Sequence, residues 1–111
     1  MASNHNLKGI GFGTWAWGNK LIWGYDPEKN DPVLREAFKS SVKEGLSLVD
    51  TADSYGTGNL NGRSETLIGE YVSSLSKEDR KKITIATKLA PFPWRLGRNG
   101  LKKAFSASKK R

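Results

Sequence analysis

Apolar residues recur along this chain with two different periods. Short apolar runs over 8–14, 46–50 and 83–88 have the length and flanks of buried strands. Between them the spacing is helical. Leu34, Ala37, Phe38 and Val42 form one stripe, and Leu67, Ile68, Tyr71, Val72 and Leu75 form another. Strand and helix alternate three times, which predicts a parallel α/β architecture. The first strand is glycine-rich, with Gly9, Gly11 and Gly13 alternating with Ile10 and Phe12. A long loop holding Trp15, Trp17, Trp23 and Tyr25 follows it.

Capping residues sharpen the pattern. Asp31 is a suitable N-cap with Pro32 at the first helical position, and Gly45 is a natural stop. A loop is expected over 51–63, with Ser64 capping the second helix, and the polar stretch 76–82 is expected to be a turn. Pro91 and Pro93 bar continuation as a central strand. A third helix is expected to begin near Gly100 with Leu101, Ala104 and Phe105 facing inward, and no glycine or proline stop follows it. Residues 1–6 read as a flexible tail, and 7–111 as one partial domain without an internal boundary.

Strand alternation places the ionisable residues. Lys88 shares a face with Thr84 and Ala86, while Ile83, Ile85 and Thr87 face the other way, the two isoleucines toward the helices. Asp50 shares its face with Leu46 and Leu48. Both charges sit at the carboxyl ends of strands, where parallel barrels build their chemistry. Tyr55 lies on the loop between them. Tyrosine is a weak acid, with a reference pKa of ~10. An ammonium beside a phenol favours its ionised form and adds positive potential where an oxyanion develops. A carboxylate holds that ammonium charged and in place. Taken singly, each residue has an ordinary fate: a capping aspartate, a surface tyrosine, a snorkelling lysine. What argues for Tyr55 as an acid, Lys88 as its tuner and Asp50 as the counter-ion is their joint placement inside a recognisable sequence frame.

Four segments resemble one family in order and spacing. Gly11-Phe12-Gly13-Thr14-Trp15 resembles the first strand of the aldo/keto reductases. Leu48-Val49-Asp50-Thr51-Ala52-Asp53-Ser54-Tyr55-Gly56 resembles their aspartate-to-tyrosine signature. Ser64-Glu65-Thr66-Leu67-Ile68-Gly69 resembles the helix that follows, and Ile85-Ala86-Thr87-Lys88 the lysine strand. The resemblance runs from Leu7 onward. It implies a (β/α)8 TIM barrel and NADPH-dependent reduction of small aldehydes or ketones to alcohols. It also implies catalytic roles for Asp50, Tyr55 and Lys88, with Gly13, Thr14, Trp15 and Asp50 beside the cofactor. A complete barrel takes ~250 residues, so the 111 residues here correspond to its first three βα units. The family's catalytic histidine lies on the next strand. His5, in the amino-terminal segment, does not match that position. For the 111-residue polypeptide by itself, little or no turnover is expected. Self-association through open strand edges is expected as well.

Charge offers a competing picture. Nineteen basic residues against 11 acidic ones give a net charge of +8. The excess gathers in Arg95, Arg98, Lys102, Lys103, Lys109, Lys110 and Arg111. A small basic module binding nucleic acid or another polyanion, with Trp15, Trp17 and Trp23 stacking, is one alternative. A non-catalytic aldo/keto reductase-like regulator is another. The basic residues form no recognisable nucleic-acid motif, which favours a solvated helix face and argues against nucleic acid as a partner. Other chemistries fail on residue type. Gly9-Ile10-Gly11-Phe12-Gly13 is followed by Thr14 and no helix, so it is not a dinucleotide fingerprint. The stretch 58–64 lacks the lysine of a P-loop. With no cysteine and one histidine, neither a disulfide framework nor a metal site is expected. No run approaches the ~20 apolar residues of a membrane span, and no signal core opens the chain. The expected location is cytoplasmic.

Overall fold

Three short parallel strands, in the order β1-β2-β3, form the centre of a computed structural model that describes residues 9–95 and 97–111. The proposed tail over 1–6 and Lys8 at the start of the first expected strand lie outside the described residues. The elements are β1 (Gly11–Gly13), α1 (Lys20–Trp23), α2 (Pro27–Lys43), β2 (Leu48–Asp50), a 3-10 turn (Gly58–Leu60), α3 (Arg63–Ser73), α4 (Lys77–Lys81), β3 (Thr84–Ala86) and α5 (Gly97–Lys110). The sheet is parallel and not closed. This matches the expected α/β class and the amino-terminal part of a barrel.

Register explains the two faces of the sheet. Phe12, Val49 and Ile85 lie side by side, as do Gly13, Asp50 and Ala86. Val49 is fully buried beneath the helices, and Phe12 packs edge-on against Phe38 with ring centroids 6.0 Å apart, whereas Ile85, expected to meet the helices, is 45% exposed. On the other face Leu48, Asp50, Thr84 and Ala86 are exposed. Gly11 is required there: an added Cβ would lie 2.7 Å from the Leu48 carbonyl oxygen.

The core lies between the sheet and α2 and α3. Trp17, Phe38, Val42, Val49, Leu67, Ile68 and Tyr71 are buried together. Trp17, Phe38 and Tyr71 form a triangle of rings, with centroids 5.7 to 6.4 Å apart. Such tilted and edge-on pairs add ~0.5–1.5 kcal/mol each beyond area burial. The Tyr71 hydroxyl donates to the Asp31 carbonyl at 3.0 Å. Burial pushes the Tyr71 phenol up to about 12, with the Asp31 charge adding to the effect. An unfolded tyrosine ionises near ~10, so the folded chain keeps a proton that the unfolded chain releases. Stability is therefore expected to be intact below about pH 10 and to fall between about 10 and 12. Tyr71→Phe should cost about 1 kcal/mol for the lost hydrogen bond and flatten that alkaline slope in urea titrations. Burial also raises Tyr25, which leaves part of the slope in place.

Several local expectations are corrected. The first long helix starts at Pro27, capped by the Asp26 side chain, which accepts from Glu28 N–H at 3.1 Å. Two Asp-Pro pairs compete as start signals, and the earlier one wins. Asp31 and Pro32 fall inside the helix, and the Asp31 carboxylate instead takes Arg63 at 2.5 Å and the Tyr25 hydroxyl. Ala37 is exposed rather than part of the buried stripe. Gly62, in a left-handed conformation, precedes α3 in place of Ser64. The stretch read as a turn over 76–82 contains α4, capped by Ser76. Helix α5 starts at Gly97, and of its expected inward stripe Ala104 is buried while Leu101 and Phe105 are half exposed. No described element packs over those two side chains closely enough to bury them. Of the basic tail, Arg95 and Arg111 are committed to internal pairs with Asp53 and Glu65. That leaves a smaller free basic surface than the sequence suggested. No described helix is long and apolar enough to cross a membrane.

Candidate active site

The carboxyl ends of β2 and β3 bring Asp50 and Lys88 together. The Lys88 ammonium donates to both oxygens of Asp50, at 2.9 and 3.0 Å, and to the Thr51 carbonyl at 2.8 Å. It also lies over the Tyr55 ring, 5.3 Å from the centroid. The carboxylate, ammonium and phenol expected from the sequence thus converge at one end of the sheet. Both charged side chains are about half exposed, so the cluster opens outward. The Asp50 carboxylate holds the Lys88 ammonium above the ordinary lysine range, and the Tyr55 phenol contributes in the same direction.

Small neighbours keep Asp50 uncrowded. It sits in register between Gly13 and Ala86. A Cβ at Gly13 would meet nothing within 4 Å, so the space above it is open. Trp15, half exposed, follows on the adjoining loop and meets Trp23 edge-on with centroids 6.0 Å apart. Thr14 differs from its neighbours. It is fully buried, and its hydroxyl donates to the Asp50 carbonyl at 3.1 Å. Ser64 donates to the same hydroxyl at 2.6 Å and lies 3.0 Å from the Thr51 hydroxyl. These hydroxyls tie the ends of β1 and β2 to the first turn of α3, so the Thr14 side chain steadies the site from behind. Gly13 and Trp15 are the residues of that segment that present surface.

Three features of the site's surroundings were not legible in the sequence. Asp53 is buried and bonded to Arg95 at 2.5 Å. Glu65 is buried and accepts from Thr87 at 2.5 Å and Arg111 at 2.7 Å. Phe92 and Trp94, beyond Lys88, stack with centroids 4.5 Å apart and planes 9° from parallel. Among the described residues no group of three or more histidine, cysteine, aspartate or glutamate side chains could hold a metal ion.

A family model described as the aldo/keto reductase family matches residues 9–111. The chain is similar to a chloroplastic pyridoxal reductase of Arabidopsis thaliana, 49% identical over 89 residues, or 78% of this chain and 24% of that protein. It is 36% identical over 81 residues to an aldo-keto reductase of Bacillus subtilis, 73% of this chain and 22% of that one. It is 30% identical over 82 residues to an NADH-specific methylglyoxal reductase of Escherichia coli, 74% of this chain and 22% of that one. The chain spans about a quarter of the length of these curated relatives.

Proposed function

The chain belongs to the aldo/keto reductase family, and from that premise we propose that it carries the proton-donating part of a nicotinamide-dependent carbonyl reductase. The observation that supports this most is the Lys88 ammonium, bonded to both Asp50 oxygens and lying over the Tyr55 ring. A bound nicotinamide supplies the hydride. Tyr55 donates its phenolic proton to the carbonyl oxygen as negative charge gathers there. Lys88 stabilises the oxygen left on Tyr55 and the developing alkoxide, and Asp50 keeps Lys88 charged and aimed. The open space above Gly13, beside the half-exposed Trp15, fits a flat ring at the end of β1. Gly13, Trp15 and Asp50 would hold the nicotinamide end, with Thr14 supporting them from beneath.

NADPH is the proposed coenzyme. The relative named as NADH-specific makes the choice between NADPH and NADH part of the test. The proposed substrates are small aldehydes or ketones, as the names of the pyridoxal and methylglyoxal reductases suggest. Location also belongs to the proposal: a cytoplasmic protein was expected, while the Arabidopsis relative is named as chloroplastic.

A chimaera tests the assignment. Residues 9–111 replace the matched segment of the Bacillus subtilis aldo-keto reductase, and the product is assayed with NADPH or NADH and a panel of aldehydes. Aldehyde-dependent oxidation of the nicotinamide is the expected result. A soluble, folded chimaera that binds nicotinamide but never turns over would overturn it. The 111-residue polypeptide alone should show little or no turnover, because the face carrying Leu48, Asp50 and Thr84 is uncovered.

A further inference from the structure

One buried carboxylate joins the loops that carry the candidate acid and its lysine. Asp53 is 1% exposed. One of its oxygens accepts from the Ala90 N–H at 3.0 Å and the other from Arg95 at 2.5 Å. Its own N–H donates to the Lys88 carbonyl at 3.0 Å. Asp53 therefore grips the main chain on both sides of Leu89, just past Lys88. Arg95 closes the ring by donating to the Ala90 carbonyl at 3.0 Å, and its guanidinium lies over Phe92, 4.9 Å from the centroid. The first turns of α5 back it up: a Cβ on Gly100 would sit 2.8 Å from the Arg95 carbonyl carbon. On the other side, Asp53 belongs to the tight turn in which Tyr55 N–H donates to the Ala52 carbonyl at 3.2 Å.

We propose that Asp53, with Arg95, is a positioning pair that sets the separation between the Tyr55 phenol and the Lys88 ammonium. The inference rests on the acid–base reading of Asp50, Tyr55 and Lys88 and adds the part that keeps two half-open side chains in register. Burial supports a positioning role over contact with substrate, since both Asp53 oxygens are engaged and out of reach of solvent. Energetics point the same way. A buried ion pair adds little net stability over well-packed apolar residues, so what it offers here is geometry. Two of the three bonds of Asp53 go to the main chain at the exit of β3 and the third reaches it through Arg95 and Ala90, so a small shift there would carry Lys88 off the Tyr55 ring.

The test is side-chain NMR on the 111-residue chain. The Lys88 ammonium lies over the Tyr55 ring, 5.3 Å from the centroid, so the adjoining ε-methylene protons are expected to be shifted upfield by its ring current. Asp53→Asn should abolish that upfield shift. Tyr71→Phe, which loses the core hydrogen bond to the Asp31 carbonyl, should lower the thermal midpoint and leave the Lys88 shift unchanged. Arg95→Lys keeps the charge and loses the paired donation to Asp53 and Ala90, so it should give an intermediate shift. An Asp53→Asn chain with the Lys88 shift intact would overturn the proposal, as would a Tyr71→Phe chain that loses it equally. Should Asp53→Asn not fold, Arg95→Lys decides: a reduced shift supports the positioning pair and an unchanged one defeats it. The unaltered chain separates the two levels of the argument. Absence of the upfield shift there defeats the acid–base reading and this inference with it. A shift present there and insensitive to Asp53 defeats the positioning pair alone.

Discussion

In the chimaera, Tyr55→Phe lowers kcat/KM for aldehyde reduction by about 10²- to 10⁴-fold. The substitution removes one hydroxyl and keeps the ring under Lys88, so packing is preserved. What is lost is the proton that meets the alkoxide as it forms. A positioned acid contributes in that range because its proton moves within the transition state. The loss should fall on kcat, with the KM for the nicotinamide little changed, since the phenol acts on the substrate oxygen. Lys88→Met should also lower kcat, through loss of the positive charge, and Asp50→Asn should do so less severely. Equal turnover by Tyr55→Phe would mean that another group protonates the product.

The second large effect is structural and lies one residue away. Gly56→Ala should destabilise the chain by roughly 3–5 kcal/mol, from backbone strain and overpacking together. Gly56 has φ +129°, a conformation that side-chain-bearing residues rarely adopt. A Cβ there would lie 1.8 Å from the Leu60 carbonyl oxygen and 3.3 Å from the Arg63 Cβ. The obstacle at Leu60 is main chain in the 3-10 turn, so it cannot rotate away. Total stability of a small domain is ~5–15 kcal/mol, so this loss is a large share of it. The urea midpoint and the Tyr55 side-chain resonances report the effect together. A midpoint within error of the parent would show that the Tyr55 loop is far more pliable than its close contacts with Gly18, Leu60 and Arg63 imply.

The order of elements was legible because burial imposes periods. Leu67, Ile68 and Tyr71 recur at helical spacing and are buried, and Val49 and Phe12 alternate with the exposed positions of their strands. Strand ends were legible only to within a few residues. Pairing fades gradually, as the bonds from Thr14 N–H to Asp50 and from Thr51 N–H to Ala86 show just beyond the strands. Helix starts were harder, because Asp26-Pro27 and Asp31-Pro32 carry the same local signal. Ser64 looked like a cap, and its hydroxyl is spent on Thr14 instead.

The convergence of Asp50, Tyr55 and Lys88 could be read from the sequence because their positions relative to strand ends carry meaning. Asp53 and Glu65 could not. Their partners, Arg95 and Arg111, lie far along the chain, and a single charged residue has no period. The one available hint for Asp53 was its place inside the segment from Asp50 to Tyr55. For Glu65 it was a charge near the start of an otherwise apolar helix face.

The most direct measurement is the pH titration of the Lys88 side chain in the 111-residue polypeptide, followed by nitrogen-15 NMR. Convergence of carboxylate, ammonium and phenol predicts that Lys88 holds its proton above the ordinary lysine range. It also predicts that Asp50→Asn brings the titration down, with a smaller fall for Tyr55→Phe. A Lys88 that titrates like an isolated lysine, and that neither substitution moves, would contradict the account.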